Sequence, residues 1–127
     1  MNLSSPREYP AEPYIASSAY ALAQRVYAMA PNAASDPKLR DKKLSRVDLI
    51  RDAISRLDDF LTVWPDDPAA DQASFSLASA LVELEAWPAA ISRSNRFAER
   101  FPKSEYLDSF WYIIGYSHFA RGEHRQA

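Results

Sequence analysis

Ile50, Ala53, Ile54, Leu57, Phe60, Leu61 and Trp64 are spaced by three, one, three, three, one and three residues, which draws a single stripe down an α-helix. Pro65 follows and stops the helix. The same stripe returns 37 residues later as Trp87, Ala90, Ile91, Ser94, Phe97, Ala98 and Phe101, again closed by Pro102. Six of these eight pairs keep the size class, the exceptions being Leu57 against Ser94 and Leu61 against Ala98. A helical unit repeated at this length is the mark of a helical repeat array.

The remaining apolar spacings fill in the array. Ile15, Ala19, Leu22, Ala23, Val26 and Met29 predict a first helix from near Glu12 to Met29, ended by Pro31. Residues 31–44 hold only Leu39 and Leu44 as large apolar residues and carry Lys38, Arg40, Lys42 and Lys43. They predict a long connection whose charges are solvated, with a basic docking patch as the alternative. Ser45-Arg-Val-Asp48 has the form of a capping box and opens the second helix. Asp67-Pro68 opens the third, with Ala70, Ala73, Ser74, Leu77, Ala78, Leu81 and Leu84 on one face. Trp87-Pro88 opens the fourth. Ser104 is the expected cap of the fifth, whose stripe is Leu107, Trp111, Ile114, Gly115 and His118 and whose end is set at Gly122. Glu123 to Ala127 then reads as the opening of a sixth helix cut short.

Composition narrows the fold class. Two glycines in 127 residues disfavour hairpins and phosphate-cradling loops, and nine prolines fall between stripes or at their starts. The expectation is an all-α chain. Fifteen basic against 17 acidic residues give no overall electrostatic bias toward nucleic acid or an anionic membrane. There is no cysteine, hence no disulfide or thiolate chemistry. No apolar run reaches the ~20 residues that span a bilayer, and residues 1–11 are polar, expected to be mobile, and unlike a secretory signal.

Together these residues resemble a tetratricopeptide repeat (TPR) protein. Trp111, Ile114-Gly115 and His118 stand where the family has Trp, Leu-Gly and Tyr on helix A. Gly122-Glu123-His124 and Ala127 follow its Gly-Asp-Tyr and Ala on helix B. Leu77, Ala78, Ala90 and Pro102 fill the central copy, and Ala53 and Pro65 the first. The resemblance implies an α-α superhelix of antiparallel helix hairpins, about five helices plus a truncated sixth. Its divisions would be an atypical or capping hairpin at 12–64 (with the loop 31–44), a complete repeat at 67–103, and helix A with the start of helix B at 104–127. The 37-residue period exceeds the usual ~34. With phrases such as Trp64-Pro-Asp-Asp-Pro68, it is most similar to bacterial envelope TPR proteins of the outer-membrane assembly lipoprotein and Tol–Pal coordinator types, which implies a periplasmic or envelope location.

What the resemblance implies for function is non-catalytic protein binding in a concave groove, by a fragment of a larger protein. Carried over position by position, the groove is Gln72, Phe75, Ser76, Ser79 and Val82, then Ser109, Tyr112, Ile113, Tyr116 and Phe119. The Lys, Asn and Arg clamp with which some members hold a terminal carboxylate is absent from these places. Tyr112, Tyr116 and Phe119 step by four and three and form an aromatic ridge, either a recognition surface or one that a further repeat or neighbouring helix covers. An architectural spacer, or self-association through an open C-terminal repeat face, is the alternative function. Catalytic, cofactor and metal sites are not expected. His118 and His124 fall on framework positions, the pairs Asp58-Asp59 and Asp66-Asp67 diverge, and no Gly-x-Ser-x-Gly elbow presents a nucleophile. Arg93, Arg96 and Arg100 are expected to line a solvated face, with anion binding as the alternative.

Overall fold

The computed structural model describes residues 13–126, with side chains described from Ile15 to Gly122. The expected N-terminal segment 1–11, the start at Glu12, the side chains of Glu123 and His124 and the framework position Ala127 lie outside the described residues. The fold is all-α and TPR-like. The helices are α1 (Pro13–Met29), α2 (Pro37–Asp41), α3 (Arg46–Val63), α4 (Ala70–Glu83), α5 (Trp87–Arg100) and α6 (Leu107–Gln126), with a 3₁₀ turn at Ala30–Asn32. Two compact units meet in the sequence between Ala70 and Asp71.

Five long helices stand where the stripes predict them, but the sixth does not. It is the short α2, inside the 31–44 connection, where Asp36 accepts a hydrogen bond from the Lys38 N–H (2.9 Å) and Pro37 takes the first helical position. At the other end α6 runs on through Gly122 to Gln126 without a break, so no separate helix opens at Glu123. A glycine stops a helix only where the chain turns left-handed to close it, and neither glycine has a positive φ.

In the first unit α1 packs along α3. The α3 stripe is as the spacing requires: Ile50, Ala53, Leu57 and Phe60 are buried. Each of the large ones, fully withdrawn from water, contributes about 1.5–3 kcal/mol. Against them α1 presents mostly small residues, with Tyr20 the exception. Its buried positions are Ala16, Ala23, Val26 and then Ala30 of the 3₁₀ turn, while Leu22 is exposed. The α1 face is thus rotated from the expected one, with small residues at most of its buried positions, which allow close approach of two helices. Tyr20 tilts onto Phe60 at 5.3 Å, and Phe60 onto Trp64 at 5.7 Å.

The capping box of α3 forms in full. The Asp48 N–H donates to Ser45 Oγ and the Ser45 N–H donates to Asp48 Oδ2, each at 3.1 Å. The hydrogen bond from the Ser45 backbone, then that from its side chain, holds the Asp48 carboxyl below its ordinary range.

In the second unit α5 packs on α6. Ala90, Ser94, Phe97 and Ala98 of α5 are buried, as are Phe110, Ile113, Ser117 and Ala120 of α6, and Phe97 meets Phe110 at 5.6 Å. Helix α4 is buried at Ala73, Ser74, Ser76, Leu77, Ala78, Ala80 and Leu81, which covers most of its circumference. Most of these buried positions are Ala or Ser, with Leu77 and Leu81 as the large ones.

The repeat extends to the backbone. Trp64 and Phe101 end their helices at φ −126°, ψ 63° and φ −122°, ψ 61°, each donating its N–H to the carbonyl four residues back. Three residues on, Asp67 and Ser104 do the same job. The side chain of each accepts from the backbone N–H two residues later (Ala69 and Tyr106, both 2.9 Å), and the carbonyl of each from the N–H three later. The helices themselves begin at Ala70 and Leu107, so both residues cap a turn that feeds the helix and not its first turn. Ser104 also donates to Asp71 and so ties this turn to the start of α4.

Helices α2 and α4 close by a second device. Leu44 and Ala86 donate to the carbonyls of Leu39 and Leu81, and Lys43 and Glu85 to those of Arg40 and Val82. This is the Schellman closure, which puts Lys43 at φ 57° and Glu85 at φ 55°, places where glycine is the default.

Replacing either Lys43 or Glu85 by Gly should therefore raise stability by up to about 1 kcal/mol in urea denaturation, the left-handed penalty outweighing the added chain entropy. Ser45→Ala should lower it by about 1 kcal/mol. Because the Asp48 pKa is depressed in the folded chain, its contribution is complete above the unfolded-state value and is lost as pH falls through the lowered one. The difference in Tm between wild type and Asp48→Ala should accordingly be largest near neutrality and close as the solution is acidified.

Candidate interaction surface

Helix α6 is apolar around much of its girth, since Phe110, Trp111, Tyr112, Ile113 and Ile114 follow one another. Packing on α5 selects Phe110, Ile113, Ser117 and Ala120 as the inner face. What is left faces solvent. Tyr112 is 70% exposed, Phe119 66%, Trp111 53% and Tyr116 43%.

The ridge is ordered by its own contacts. Tyr112 and Tyr116, one turn apart, stack with centroids at 6.1 Å and planes 16° apart. Trp87, at the start of α5, meets Tyr116 edge-on at 5.7 Å and 70°. Such contacts are worth ~0.5–1.5 kcal/mol each, enough to restrict two tyrosine rotamers before anything binds. Phe119 continues the ridge one turn on. Trp87 marks its helix start in the sequence, but its contact with Tyr116 is tertiary and no spacing announces it.

The groove positions taken from α4 behave differently. Phe75 is half-buried and stacks on Tyr106 at 5.1 Å and 18°. Ser79 is half-buried, while Ser76 and, on α6, Ile113 are buried. The Tyr106 hydroxyl is held above the ordinary phenol range by desolvation and then by the Glu105 charge, so it stays a neutral donor. Of the expected groove residues, Tyr112, Tyr116 and Phe119 form one exposed surface; Phe75 belongs to the Tyr106 stack.

Of the framework positions, Ala53, Leu77, Ala78 and Ala90 are buried, and the helix-ending Pro65 and Pro102 are exposed. Trp111, Gly115 and His118 are exposed too, on the side of α6 turned away from Phe110, Ile113 and Ser117. Their counterparts 37 residues earlier, Ser74, Ala78 and Leu81, are buried. A Cβ built on Gly115 would meet nothing within 4 Å, so the close packing that would offset a mid-helix glycine is not present there.

The α5 arginines are not a purely solvated face. Arg93 lies over the Phe97 ring at 5.3 Å and Arg100 over Phe101 at 5.6 Å. Among the described residues no group of His, Asp and Glu is arranged to hold a metal ion, and no helix is long and apolar enough to cross a membrane.

The YfiO family model, described as outer membrane lipoprotein, matches residues 38–126, from α2 to the end of α6. No curated protein matches the chain, and no solved structure does.

With open space around it, Gly115 is a pure propensity cost. Gly115→Ala should stabilise the chain by about 1 kcal/mol, read as a rise in the denaturation midpoint. A decrease would mean that something packs against that face in solution.

Proposed function

The chain belongs to the YfiO outer membrane lipoprotein family, and on that premise we propose that it is a non-catalytic TPR scaffold of the bacterial envelope that captures a protein partner on the α6 ridge. The observation that carries this is the exposure of Tyr112, Tyr116 and Phe119 on one face, with the two tyrosines already stacked. Aromatic side chains that keep few rotamers lose little entropy on binding, bury large areas and offer a hydroxyl at the rim. A helical or extended segment with apolar anchors at matching spacing is the ligand this face suits. Phe75 and Ser79 would border the site. No step of bond making is assigned.

Self-association through the open C-terminal repeat face is the competing use, favoured by the exposure of Trp111 beside Gly115. The two uses separate cleanly. A partner retained by the wild-type chain should bind Tyr112→Ala/Tyr116→Ala at least 30-fold more weakly, roughly the loss of one interface hot spot. Far-UV circular dichroism of that variant should be unchanged. Equal binding would dismiss the ridge, and loss of helicity would make it core. A mass that climbs with concentration in light scattering, with no partner bound, would move the assignment to self-assembly.

A further inference from the structure

The connection between α1 and α3 folds around a cleft of about 460 Å³ within the first unit. Its floor is apolar, with Ala30 and Ala33 buried and Leu44 half-buried. Its rim carries Arg40, Lys43 and Arg46, and no acidic residue lines it.

Charge is concentrated here far beyond the chain average. Residues 37–46 contain Lys38, Arg40, Lys42, Lys43 and Arg46 against the single acid Asp41, whereas the rest of the chain has ten basic and sixteen acidic residues. Among the described residues Lys38, Arg40, Lys42 and Lys43 have no ion-pair partner, and all four are exposed. The flanking acids Asp36 and Asp48 accept cap hydrogen bonds from the Lys38 and Ser45 N–H groups, and neither lines the cleft. Lys43 adds a second sign. It holds a left-handed conformation that glycine adopts at lower cost, and in return places a charge on the rim.

We propose that this cleft docks the chain on anionic phospholipid, with the headgroup phosphate among Arg40, Lys43 and Arg46 and the glycerol–acyl edge against Ala30, Ala33 and Leu44. Charge complementarity sets the sign of the ligand, and the apolar floor asks for an amphiphile. An extended acidic peptide fits less well. It needs main-chain donors and acceptors, and the N–H groups of Lys42, Lys43 and Leu44 are spent on the α2 closure. Membership of an outer membrane lipoprotein family brings such a surface within reach. The site shares no residue with the α6 ridge, so either assignment stands or falls alone.

The test is flotation of the full chain with phosphatidylcholine vesicles and with the same vesicles containing phosphatidylglycerol. Wild type should bind the second only and be released by salt. Arg40→Gln/Lys43→Gln/Arg46→Gln should lose on the order of 100-fold, at about fivefold per cation. Lys43→Gly alone should lose about fivefold while its Tm rises, a combination that a merely structural lysine does not produce. Arg96→Gln/Lys103→Gln and Tyr112→Ala/Tyr116→Ala should float like wild type. Vesicle binding unchanged in the triple variant would overturn the proposal. So would full displacement by soluble glycerol phosphate, which would make the cleft a small-phosphate site, or capture of polyglutamate with indifference to vesicles.

Discussion

Ending a helix without glycine is the constraint on which the rest of this structure depends. With two glycines in the chain, both inside α6, every turn between helices must be closed by other means. Two solutions recur. After α3 and α5 an aromatic residue leaves the helical region just before a proline, and Asp67 or Ser104 then gathers the backbone of the next turn. After α2 and α4 a charged residue accepts the left-handed conformation. The first device is set by side-chain chemistry at fixed spacing, so it repeats with the period of the sequence. Because the turns repeat, so does the phase of each helix, and the buried stripes follow from that phase.

Packing then divides the labour by residue size. The buried positions of α3 are mostly large and those of α1 mostly alanine, while those of α4 are Ala and Ser around Leu77 and Leu81. Serines serve as small residues in the same sense. Ser94 and Ser117 are fully buried with no hydrogen-bond partner for their hydroxyls, so their value is their volume and not their polarity. Helix α6 is the exception to this economy. It carries large apolar residues on several sides and buries only one of them, which is why the interaction surface lies there.

The sequence was legible where size and period agreed. The α3 and α5 stripes, the Ser45–Asp48 capping box and the aromatic–Pro stops are all local or strictly periodic, and each stands as expected. Helix α2 carried a readable signal in Asp36-Pro37, but five residues offer no periodicity to notice. The α1 face is rotated from its stripe, leaving Leu22 exposed, because its many alanines look alike in a pattern and only the facing helix decides which are buried. In α6 five consecutive apolar residues erase the phase, so the inner face could not be chosen without α5 in place. Gly122 looked like a stop, yet a glycine ends nothing unless the chain beyond it turns. The Tyr112–Tyr116 ridge was visible as a spacing; the edge contact from Trp87 and the Phe75–Tyr106 stack were not, since each joins residues far apart in the chain.

Gly115 and Gly122 lie seven residues apart, and so nearly on one line along α6, with nothing against either. Beyond Gly115 the only buried side chains among the described residues are Ser117 and Ala120, both small. Among its described residues the carboxyl half of α6 therefore buries little, and the edge contact of Tyr116 with Trp87 is what pins it to α5. The ridge sits astride this boundary, with Tyr112 on the well-buried half and Tyr116, held by Tyr112 and Trp87, at the start of the other. A ligand that spanned the ridge would tie the thinly buried end of α6 to the firm one, as Trp87 already begins to do.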